Sequence, residues 1–133
     1  MSTKIEKVLS RRLVDIATGV ALTSEGIGKR NSYRLGAIIF DKKRVLCAKP
    51  NIRKTHTVLS KFSKFPYLHA ETNCILSHGL DNCNGKSLLV VRVAMDDCTL
   101  RNSLPCAVCS SMIKLAGIKK VYYSNNEGEI KCL

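Results

Sequence analysis

A chain of 133 residues with seven cysteines and 22 Lys or Arg against 10 Asp or Glu is long enough to bury one hydrophobic core without disulfides, and its length fits a single domain over residues 1–133. No apolar stretch approaches the roughly 20 residues that cross a bilayer, and Met1 to Lys7 is charged, so neither a spanning helix nor a secretory signal is expected and the setting is a reducing cytoplasm with free thiols. The charge is regional: residues 1–66 carry 15 basic and 4 acidic side chains, residues 67–133 carry 7 and 6, which points to an anionic partner as well as to a solvated face.

In chain order, Ile5, Val8, Leu9, Ile16, Ala17 and Val20 recur at helical spacing and predict one amphipathic helix over residues 3–23, capped by Ser2 or Thr3 with Glu6 as capping-box partner and ended by Gly26 and Gly28. Tyr33 to Phe40 predicts a strand, Asp41-Lys42-Lys43 a turn, and Arg44 to Ala48 the returning strand of a hairpin. Lys49 to Pro66 is a long connection, a length that usually signals function or disorder. Eight Lys or Arg and no acid lie between Lys42 and Lys64, and because this run ends just before His69, its charge is expected to line the approach to that residue. Asn51, just past the second strand, sits where a turn asparagine is common.

His69-Ala70-Glu71 opens a helix that runs to His78 and stops at Gly79. Ser87 to Met95 reads as an apolar, β-branched strand buried on both faces. Asp96 to Leu104 is a connection, Pro105 is placed in the first turn of a helix from Cys106 to Ala116, and Gly117 ends it. Lys120 to Ser124 and Glu129 to Cys132 are strands joined by the turn Asn125 to Gly128. This order predicts an α/β fold, a three-layer α/β/α sandwich on a mixed five-stranded sheet. The short link between the last two strands makes them an antiparallel hairpin.

The chemistry concentrates in His69, Glu71, Cys106 and Cys109: one imidazole, one carboxylate and two thiols. Cysteines at i, i+3 share a helix face, and a helix N-terminus favours the thiolate that binds metal. His69 and Glu71 at i, i+2 point in different directions, so one can ligate while the other faces a bound water. Three protein ligands leave a tetrahedral zinc with an open position, the mark of a catalytic site. A C-x-x-C pair also occurs in closed zinc sites and redox centres. There Cys98, Cys74, His56 or His78 would supply a fourth ligand, and Glu71 and Pro105 would have no role. Cys47 and Cys74 otherwise read as small buried hydrophobes.

These residues, H-A-E followed by P-C-A-V-C, match every fixed position of the zinc nucleobase deaminase pattern, and from about Gly36 to the C-terminus the chain resembles the cytidine/deoxycytidylate deaminase superfamily. The resemblance implies sheet order 2-1-3-4-5 with both zinc helices on one side. It implies a Zn²⁺ cofactor on His69, Cys106 and Cys109, with Glu71 as general acid/base. It further implies substrate contacts from Asn51 and the Ala70 N–H, with Tyr67 or Phe65 as a stacking surface; Arg53 and Lys54 are the pair expected to meet a phosphate.

The implied activity is hydrolytic deamination of cytosine to uracil in a small (deoxy)cytidine nucleoside or nucleotide. The alternatives are a deaminase acting on single-stranded DNA or RNA, with basic residues 42–64 tracking phosphates, and a non-catalytic zinc module that binds nucleic acid. The resemblance also favours a homo-oligomer. Within the superfamily the signals are mixed. The terminal hairpin resembles free-nucleoside deaminases, which commonly place three cysteines on zinc, whereas His69 and Asn73 in H-A-E-x-N resemble deoxycytidylate deaminases.

Overall fold

The computed structural model describes residues 9–24, 34–52 and 69–133. The first helix among the described residues, α1 (Arg11–Leu22), starts because Ser10 takes an extended conformation and its Oγ accepts the Leu13 N–H at 3.3 Å, one of the N–H groups that has no partner inside a helix. This corrects the single helix predicted over residues 3–23: Leu9 and Ser10 are not helical and Ser10 caps a helix that ends at Leu22, while Ser2, Thr3 and Glu6 of the predicted cap and Gly26 and Gly28 of the predicted stop lie outside the described residues. The buried stripe is Leu13, Val14, Ala17 and Ala21, with Ile16 and Val20 half-buried at its flanks.

Strands β1 (Arg34–Asp41) and β2 (Arg44–Pro50) form the predicted hairpin, β2 running two residues further than the sequence suggested. Pro50 ends an edge strand, where a missing N–H costs no ladder bond. Then come α2 (Ala70–His78), β3 (Ser87–Val93), a two-residue strand β4 (Leu100–Arg101), α3 (Ala107–Ala116), β5 (Lys120–Ser124) and β6 (Ile130–Cys132). The principal order is β2-β1-β3-β5-β6, with β3 and β5 parallel and the last two strands an antiparallel hairpin. That is the predicted five-strand order with one addition. β4 pairs antiparallel with the end of β3 in the segment read as a plain connection, too short a strand to leave a periodic signal.

Strand alternation builds two cores. Ile38, Phe40, Leu89, Val91, Val93 and Tyr122 meet α1 on one face, whereas Ala37, Ile39, Leu88, Val90 and Val121 meet α2 and α3 on the other, as a side-chain period of two requires. The result is a three-layer α/β/α sandwich with the two His/Cys-bearing helices on one side. Gly36 permits the close approach of α1: a Cβ there would run into Ala17 O and lie 2.5 Å from Ala21 N.

Candidate active site

His69 is the N-cap residue of α2 and Cys106 the N-cap residue of α3, both with extended backbone, and Cys109 lies in the first turn of α3. Pro105 therefore precedes the cap, two residues before the first helical position, Ala107, instead of in the first turn as predicted. The two helices present their N-termini to each other beyond the C-terminal ends of β3 and β5, the end of an open α/β sheet where ligands characteristically bind. Ser103 fixes the segment leading into Cys106: its Oγ donates to Val90 O at 2.8 Å and accepts the Ser124 N–H at 2.8 Å. Nothing in the sequence distinguishes Ser103 from other loop serines, because its partners are non-local backbone groups.

His69 Nδ1 stands 3.6 Å from Cys106 Sγ and 3.4 Å from Cys109 Sγ. The three ligand atoms lie within 4.8 Å of one another, and no other such cluster of His, Cys, Asp or Glu exists among the described residues. Cys98 and Cys74, the fourth-ligand candidates from the sequence, stand outside it, as does His78; His56 lies outside the described residues. The hydrogen bond from Cys109, followed by that from His69, holds Cys106 down at about 3, while the Cys109 thiol is pushed upward by its bond to Cys106 and by burial. Burial works to lower the His69 value, but the Cys106 sulfur and the Glu71 carboxylate outweigh it and raise it.

Glu71, in the first turn of α2, is 1 % exposed. Burial lifts its carboxyl to about 7, with His69 opposing. Its Oε1 has no hydrogen-bond partner among the described residues. An orphaned buried carboxylate oxygen costs about 1–3 kcal/mol and is found where function demands it. Ala70, fully buried, is the first helical residue of α2, so its N–H has no acceptor within the helix.

Asn51 is also buried: its Oδ1 accepts the Leu35 N–H at 3.1 Å and the Ser24 hydroxyl, and its own N–H donates to Leu35 O at 3.2 Å. Asn73 Nδ2 donates to Pro50 O at 2.7 Å, which ties the His69 helix to the strand end carrying Asn51. Arg53, Lys54, Phe65 and Tyr67 lie outside the described residues. The basic run does not behave as one surface: Lys42 and Lys43 turn at the opposite end of β1 from Leu35 and Asn51, which corrects the expectation that they line the approach to His69.

The donor set, one imidazole and two thiols close together, fits a borderline-soft ion such as zinc, and the unpartnered Glu71 Oε1 beside it fits a site whose remaining position takes water or substrate. Fold and cluster together define a class: an α/β/α protein whose two helix N-termini converge on a His-Cys-Cys metal site with a buried carboxyl at its edge.

Residues 9–125 match the family described as the cytidine and deoxycytidylate deaminase zinc-binding region, and the chain belongs to that family. No curated protein matches it. Among solved structures it is similar to the dCMP deaminase from the cyanophage S-TIM5. The apo form is 26% identical, with 95% of this chain and 86% of that chain covered and a TM-score of 0.62; the complex with dCMP and dUMP shows 22% identity, 95% and 85% coverage and a TM-score of 0.59. No helix among the described residues is long and apolar enough to cross a membrane.

Proposed function

We propose that this protein is a zinc-dependent hydrolase that converts cytosine to uracil in a small (deoxy)cytidine nucleotide, with deoxycytidine monophosphate the preferred form. The observation that carries the reading is the buried Glu71 carboxyl, with one unpartnered oxygen, beside the only His-Cys-Cys cluster among the described residues. His69, Cys106 and Cys109 would hold the zinc ion, which would supply Lewis acidity to ease deprotonation of the attacking water near neutral pH. Glu71 takes one proton from the attacking water and delivers it to ring N3 as C4 is attacked; it then takes the proton of the new C4 hydroxyl and delivers it to the amino group as the C4–N bond breaks and the C4 carbonyl forms, so that water and cytosine become uracil and ammonia. The Ala70 N–H holds the base O2. Asn51 meets the sugar, its place secured through Leu35 and Ser24, and Tyr67 stacks on the base.

The preference for a monophosphate rests on the likeness to a dCMP deaminase at 26% identity and on Arg53 and Lys54, a cationic pair two residues past Asn51 that suits one terminal phosphate. The test is a panel of cytidine, deoxycytidine, their monophosphates and single-stranded oligonucleotides, read by ammonia release. The monophosphate is turned over best, and Arg53→Ala with Lys54→Ala raises its KM. Deamination confined to oligonucleotides would replace this reading with the polynucleotide enzyme.

A further inference from the structure

At the pole of the sheet away from His69, a cavity of about 410 Å³ opens on the α1 face. Leu13, Phe40 and Tyr122 form its apolar floor, and its rim carries two lysine pairs, Lys42-Lys43 on the β1–β2 turn and Lys119-Lys120 at the start of β5. The pairs are remote in sequence and brought together by register, since Phe40 pairs with Ser87 and Ser87 with Lys120. Two strand spacings separate them, about 10 Å. β3 runs from this cavity toward the metal-site end, so roughly 20 Å of strand lies between the two sites.

Three features separate this surface from a merely solvated basic face. None of the four lysines forms an ion pair with a described carboxylate: Asp41, their neighbour, is taken by Lys86 at 3.5 Å, and Asp15 lies further along α1. The Lys42-Lys43 turn is anchored, because Arg12 Nη1 donates to Lys43 O at 3.0 Å. Ser10 lines the cavity as the N-cap of the 12-residue α1, so the positive end of that helix faces the same space. Arg11 and Arg44, both exposed, directly follow the lining residues Ser10 and Lys43 in the chain and extend the positive charge. The positive surface is therefore longer than a compact anion needs.

We propose that this cavity and its rim form a second anion site, independent of the metal centre, that holds consecutive phosphates of a single nucleic-acid strand without reading its bases. The lysine pairs neutralise phosphates from either side, and the apolar floor receives the face of a sugar or base. Because the interactions are with the backbone, binding is sequence-independent and steeply dependent on salt.

The experiment is fluorescence anisotropy of a labelled oligothymidylate, which carries no cytosine, with the zinc-loaded protein. Lys42→Ala with Lys43→Ala, and separately Lys119→Ala with Lys120→Ala, are each expected to weaken binding by roughly tenfold or more and to reduce the salt slope by about 0.7 for each phosphate no longer neutralised. Lys114→Ala with Lys131→Ala, which removes equal charge elsewhere, leaves both unchanged. Zinc content and dCMP turnover hold in all three variants, which separates failure here from failure of the deaminase reading. Equal weakening in all three variants, no binding of the oligonucleotide, or capture of inorganic tripolyphosphate in preference to it would each overturn the proposal.

Discussion

Asn73 donates through Nδ2 to the Pro50 carbonyl at 2.7 Å, so the helix that begins at His69 and the strand that leads to Asn51 are held together by a side chain inside the H-A-E-x-N motif. The asparagine that marks the motif in sequence thus spans the sheet edge and the metal helix, with its Oδ1 accepting the Ser77 hydroxyl at 3.3 Å.

Replacing Asn73 by alanine leaves the half-buried Pro50 O without this donor, at a cost of about 1 kcal/mol. The expected result is a melting temperature lower by several degrees with zinc still bound, and a raised KM because Asn51 loses its fixed relation to His69. Thermal unfolding and steady-state kinetics on the same preparation check both.

Metal content separates an open three-ligand site from a closed one. Cys106→Ser and Cys109→Ser are expected to lose zinc, while Cys98→Ser, an exposed residue on the loop before β4, and His78→Ala retain it at wild-type stoichiometry. Zinc loss from either of the latter would show a fourth protein ligand and a structural role.

Zinc removal is expected to lower the melting temperature, because an ion bound by the folded chain alone stabilises it by mass action. Adding back one equivalent restores the wild-type value and leaves Cys109→Ser unchanged. A chelator with no effect on melting of a zinc-loaded sample would mean that α2 and α3 do not depend on the ion to hold their N-termini together.

Gly36→Val tests the packing of α1. Its side chain would enter the space filled by Ala17 O and Ala21 N, backbone atoms that cannot rotate away, and overpacking of this kind costs about 1–3 kcal/mol or more. Loss of soluble protein, or a large drop in melting temperature, is the expected outcome; Gly19→Ala on the same helix, where the added methyl meets nothing within 4 Å, is a tolerated control.

Much of the fold and of the site was legible from the chain alone. β3 carries an apolar run rich in β-branched residues, β5 a Val-Tyr-Tyr core, and His69, Glu71, Cys106 and Cys109 form a pattern whose parts make chemical sense only together. What stayed hidden depends on non-local partners. The start of α1 turned on whether Ser10 or an earlier residue caps it, and several serines and threonines compete for that role in sequence. β4 exists because Leu100 and Arg101 meet the end of β3, and Ser103 matters because Val90 O and Ser124 N arrive beside it. The basic run from Lys42 to Lys64 read as one feature, yet the hairpin carries Lys42 and Lys43 to the pole opposite Asn51.

The proposed chemistry rests most directly on Glu71 as the proton carrier beside a metal it does not hold. In Glu71→Gln the three ligands His69, Cys106 and Cys109 remain, so zinc content and melting temperature are expected to stay near wild type while ammonia release from dCMP falls by roughly 10²–10⁴-fold. Wild-type turnover by a Glu71→Gln protein carrying stoichiometric zinc would contradict that role.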